Sequence, residues 1–125
     1  MAITDVQQLN SAWEKWTEDL KIRRGTLADY QLDLQKAVEE RMGSSDMPQV
    51  EHYHNQLDIQ LNNISHLRHE IQELEKLAGW DVDQHQGAVS AVTLAKHDSL
   101  ADRYESLCHT LENLETDFKV FLGLK

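Results

Sequence analysis

The chain has 125 residues, one proline, five glycines, a single cysteine and a formal charge of −10, from 12 Lys and Arg against 22 Asp and Glu. A surface this acidic repels phosphate backbones and anionic lipid headgroups, which argues against nucleic acid and membrane as partners. One cysteine excludes an internal disulfide, and so few breakers and strand formers argue against a strand-and-turn fold.

The length fits one domain, taken as residues 1–125. The opening MAITDVQQLNSAWEKW has neither the basic start nor the apolar run of a secretory signal, and no apolar stretch approaches the roughly 20 residues that span a bilayer. With the lone Cys108, these features point to a reducing, cytoplasmic setting.

From Val6 the apolar residues fall at Leu9, Trp13, Trp16, Leu20, Leu27, Tyr30, Leu34 and Ala37, in steps of three and four. That spacing is a heptad seam with Val6 at a and Leu9 at d. It places Arg23 at d and Arg41 at a. The stretch KIRRGT, residues 21–26, carries a stop signal: basic residues, then Gly25, then Thr26 as a cap with Asp29 three residues on. The register nevertheless survives, because Leu20 to Leu27 is a full heptad. One interior glycine costs only about 1 kcal/mol relative to alanine. The reading is therefore a single helix over about residues 4–42.

GSSDMP, residues 43–48, is a sharp reversal, with Gly43 ending one helix, Ser45 or Asp46 capping the next and Pro48 in its first turn. A second helix over about 47–78 carries Val50, Tyr53, Leu57, Ile64, Leu67, Ile71 and Leu74, with Gln60 at a d position. Gly79 and Gly87 bracket a polar loop, and some helix is expected after Gly87 within AVSAVTLA. The last helix is secure from Asp98 or Ser99 to about 122, with Ser99 and Asp102 as its capping pair and a seam of Leu100, Tyr104, Leu107, Leu111, Leu114, Phe118 and Phe121. Three such seams predict an all-α, antiparallel three-helix bundle, up-down-up.

Seven histidines in an acidic helical chain call for a metal test. Glu-x-x-His occurs once, at Glu51 and His54, where a di-iron bundle wants it on two helices. His66, His69, Glu70 and Glu73 are weak metal candidates at i to i+4 spacing, but the heptad puts His52 and His66 at c and His69 and His109 at f, facing outward. Only His97, carried back from Leu100 and Tyr104, points inward. The loop 81–87 fails as a calcium loop because its glycine is late and Val92 stands where a bidentate acid is needed. Cys108 falls at e, beside the core, where a small half-buried thiol is the simplest reading. No cofactor is expected.

Arg23, Arg41, Gln60 and Glu70 form the expected structural polar layer, with Glu70 the partner of Arg23 across the bundle. Trp13 and Trp16 fall near the second helix's end, where they either cap the bundle with Trp80 or form an interaction patch, with core packing favoured. Ile22, Leu32, Ile59 and Val120 lie off the seams at c or f and are candidates for an interface. The expected function is non-enzymatic: a helical interaction or scaffold protein whose helix faces accept a protein partner or a second copy. The alternatives are a small acidic chaperone or adaptor for an export or assembly system, and a metal- or pH-responsive bundle using surface histidines.

Overall fold

The computed structural model describes residues 6–84 and 89–124. Within them, α1 (Val6–Arg41), a 3-10 turn at Ser44–Asp46, α2 (Met47–Gln84) and α3 (Ala91–Gly123) follow one another. The helices have 36, 38 and 33 residues, so each rises roughly 50–57 Å at about 1.5 Å per residue.

Pairs of distant side chains fix the arrangement. Gln31 on α1 donates to Asp58 on α2 at 2.8 Å. Tyr53, near the start of α2, stacks on Phe121, near the end of α3, with ring centroids 4.8 Å apart. Trp13 near the start of α1 meets His97 near the start of α3, and Tyr30 further along meets Phe118 further along. Thus α1 and α2 are antiparallel, α2 and α3 are antiparallel, and α1 and α3 run together: the up-down-up bundle that the seams predict.

The three seams meet as one core. Leu9, Trp13, Leu20, Leu27 and Leu34 come from α1, Leu57, Ile64, Leu67, Ile71 and Leu74 from α2, and Leu100, Leu107, Leu111, Leu114, Phe118 and Phe121 from α3. Each such side chain contributes about 1.5–3 kcal/mol when fully buried. This heptad burial, rather than local propensity, holds helices of this length together.

The stretch KIRRGT is continuous helix. Thr26 does not cap a new helix: its hydroxyl donates back to the Ile22 carbonyl at 3.2 Å, as a hydroxyl does inside a helix. The chain stops only after Arg41. There Asp46 N donates to the Gly43 carbonyl at 3.0 Å and Gly43 N donates to the Asp46 carboxylate at 3.0 Å, closing the reversal from both sides.

Two expectations are corrected at the other end. α2 does not stop at residue 78; it passes through Gly79 and Trp80 to Gln84, so residues 79–84 are helix rather than loop. The seam explains why: after Leu74, steps of four and three reach Ala78 and Asp81, both buried. The rest of the expected loop, residues 85–88, lies outside the described residues. α3 starts at Ala91, so the helix expected after Gly87 is present. Its cap is Ser90, whose side chain accepts from Thr93 N at 3.2 Å. The Ser99–Asp102 pair is mid-helix and caps nothing.

Candidate functional site

α1 packs more intimately on α2 than on α3, and large or polar side chains fill the α1–α3 seam. At its outer end Trp13 Nε1 donates to His97 Nδ1 at 2.9 Å. Trp13 is 0% and His97 5% exposed. Trp16 lies nearly parallel to the imidazole, 5.2 Å away, and stacks on Tyr104 at 5.4 Å. Burial lowers the pKa of His97, against the smaller opposing effect of Asp98. The inward direction read for His97 from the heptad is the one it has.

Two turns further along α1 the seam becomes ionic. Asp19 accepts from the Tyr104 hydroxyl at 2.5 Å and from Arg23 Nε at 2.8 Å, while Cys108 Sγ lies 3.9 Å away. Arg23 also reaches Glu112 at 3.7 Å. Burial pushes Asp19 up, but the hydrogen bonds from Tyr104 and Arg23 and the guanidinium charge outweigh it and hold the carboxyl below its ordinary value. Burial and the adjacent Asp19 push the Tyr104 phenol far up, so it stays a donor. Burial also raises the Cys108 thiol, opposite to the shift of a nucleophilic cysteine.

Beside this end lies a second polar cluster. Asp81, 1% exposed, accepts from Ser90 N at 3.0 Å, from Ser90 Oγ at 2.8 Å and from the Thr93 hydroxyl. A carboxylate on α2 therefore holds the first turn of α3, where the N-terminal amides favour negative charge. In the sequence Asp81 stands out only as the first residue of the failed calcium loop, and no composition or motif singles out Ser90 and Thr93. Extending the seams does find two of them, since Leu74 leads to Asp81 and His97 leads back to Thr93.

The expected polar layer is placed differently. Arg23 does not meet Glu70. Arg23 turns to Asp19 and Glu112 on the α1–α3 side, whereas Glu70, at a g position, flanks α2–α3 and pairs with Arg103. Arg103 draws the Glu70 pKa down. Gln60 is buried and accepts from Asn63 at 3.1 Å. Arg41 is exposed at the last turn of α1, in no layer.

The weak metal candidates are not gathered into a ligand set. His66 and His69 are exposed on α2, His69 pairs with Glu73 at 4.0 Å, and Arg103 occupies Glu70. Among the described residues no three His, Cys, Asp or Glu side chains converge to hold a metal ion.

Of the interface candidates, Trp13 is core and Trp16 half-buried, and their cap is His97 rather than Trp80, which is 56% exposed. Ile22, Leu32, Ile59 and Val120 are all exposed, but they do not form one stripe. Val120 borders a shallow recess with Tyr53 and Phe121 between α2 and α3. Leu32 borders a groove of about 680 Å³ between α1 and α2, with Leu34, Val38 and Val50 as its apolar lining and Glu39 and His54 among its polar edges. Among the described residues no helix is long and apolar enough to cross a membrane.

No protein-family model, curated protein or solved structure matches the chain.

Proposed function

We propose that the chain is a non-enzymatic protein-interaction module that receives an amphipathic helix of a partner protein, flanked by basic residues, in the α1–α2 groove. The observation that carries this reading is the groove itself. Leu32 stands at an outward f position, 64% exposed, where a solvated helix ordinarily carries a polar residue. It adjoins Val38 and Val50 over a floor formed by Leu34. This is the geometry into which an apolar helix face with anchors at i, i+3 or i+4, and i+7 is laid.

Charge selects the occupant. Glu39 lines the groove, Asp58 stands at its edge bound to Gln31 and 3.5 Å from His54, and no Lys or Arg is among the described lining residues. A second copy of a chain of charge −10 would bring like charge to the same rim, whereas a basic helix is attracted and steered. The burial-raised thiol of Cys108 argues against a nucleophilic role for that residue, and the acidic surface supports a protein partner over nucleic acid or membrane. The cytoplasm remains the setting proposed for it.

The test uses two synthetic helical peptides with identical leucine faces, one flanked by lysines and one by glutamates. The basic peptide is expected to shift the methyl signals of Leu32, Val38 and Val50, to lose affinity with added salt, and to be rejected by a Leu32→Glu variant that melts like the wild type. Indifference to both peptides would sink the proposal. A dimer seen by light scattering that Leu32→Glu disperses would instead make a second copy the occupant.

A further inference from the structure

We propose that His97 is an acid-sensitive latch: protonation of its imidazole breaks the bond from Trp13 and opens the aromatic layer of Trp13, Trp16 and Tyr104 at the outer end of the α1–α3 seam. This goes beyond the groove reading and does not depend on it.

The argument starts from donor and acceptor chemistry. An indole nitrogen can only donate, and a neutral imidazole has one donor and one acceptor nitrogen. The 2.9 Å bond from Trp13 Nε1 makes His97 Nδ1 the acceptor, so the ring proton sits on Nε2. A second proton can enter only at Nδ1, which is the atom that the indole N–H faces. Donor would then meet donor, with both side chains buried, and neither ring has another acceptor to offer. Rotation is no easy escape, because Trp16 lies flat against the imidazole and is itself stacked on Tyr104.

The surrounding charges do not relieve this. On α3 the neighbouring Asp98 favours the protonated form, but burial outweighs it. From α1 the rings that face the imidazole are the uncharged indoles of Trp13 and Trp16, and Asp19 lies beyond Tyr104, bound to it and to Arg23. α2 contributes Asp81, one layer nearer the tip, where it accepts from Ser90 and Thr93.

The sign follows. The folded pKa of His97 lies below its ordinary value of 6.5. The stability it confers is therefore present above about pH 6.5 and is lost as pH falls toward the folded value. Because the layer lies close to the start of α1, the cheapest response is local opening of that end rather than global unfolding. His52, His54, His66, His69 and His109 are exposed on helix surfaces and have no such layer to release.

Nitrogen-15 NMR of the full chain between pH 7.5 and 5 provides the test. Near neutrality His97 should show the Nε2–H tautomer, with the Trp13 indole N–H protected from exchange. Below about pH 6.5 that protection should fall, by at most about tenfold per pH unit, the limiting slope of a one-proton linkage, while the amides of Leu27, Leu57 and Leu111 stay protected. His97→Gln keeps an acceptor without titrating and should flatten the response. If that variant does not fold, the wild-type titration still decides. The proposal is overturned if His97 takes its proton near 6.5 with the Trp13 signal unmoved, or if His97→Gln opens over the same range.

Discussion

Trp13 and His97, 84 residues apart, share a 2.9 Å hydrogen bond that ties the start of α1 to the start of α3. Each is the other's polar partner in a buried layer, so the two should couple energetically. Trp13→Phe leaves the imidazole acceptor without its donor, and His97→Leu leaves the indole N–H without its acceptor. Each should cost about 1–3 kcal/mol in urea unfolding at pH 7.5. The double variant should cost less than the sum by roughly 1 kcal/mol, since removing both partners leaves nothing unsatisfied. Additivity within about 0.3 kcal/mol would mean that the bond carries no stability.

Asp81 is the other anchor at this end. Asp81→Ala should leave Ser90 N and the Thr93 hydroxyl without the acceptor they now share and cost about 2–4 kcal/mol. Hydrogen exchange should localise the loss to the first turns of α3. An exchange pattern equal to the wild type's in that segment would remove Asp81 from the role of cap.

Gly25 is exposed within continuous helix, and a Cβ built on it meets nothing within 4 Å. Gly25→Ala should therefore stabilise the chain by about 0.5–1 kcal/mol. Gly79, also helical with an open Cβ position, should behave alike. A loss of stability in Gly25→Ala would show that α1 needs a break at KIRRGT in solution.

These cases also show which features the sequence could reveal. Helix phase was legible because leucines in steps of three and four survive single glycines, which is why α1 could be read through Gly25. The same logic, carried past Leu74, reaches Ala78 and Asp81. Composition hid that continuation, since glycine, tryptophan and three acids or amides resemble a loop when their partners are unknown. Asp81 is tolerable inside because side chains such as Ser90 and Thr93 answer it, and a sequence does not display that pairing. Arg23 illustrates the other limit. Its d position was legible, but whether it turns toward α2 or α3 depends on which flank holds an acid within reach, and Asp19 is one helical turn away on its own helix. The apolar groove was half visible, as Leu32 at an f position, without Val38 and Val50 beside it.

The Asp19 network predicts a second pH dependence, far from that of His97. The folded pKa of Asp19 is held below the ordinary 3.8 by Tyr104 and Arg23, against burial. Its contribution is therefore complete above about pH 4 and is lost as the pH falls below that. Glu70, lowered by Arg103, adds in the same direction. Tyr104→Phe removes one donor to the carboxylate and should cost about 1–2 kcal/mol at pH 7, at the lower end for a hydrogen bond to charge because the site is partly solvated. That difference should shrink once Asp19 is protonated. Urea midpoints of both proteins from pH 7 to 2.5 should converge at the acid end, with the wild type falling more steeply. Parallel curves would mean that the Tyr104 hydroxyl does not act through the charge of Asp19.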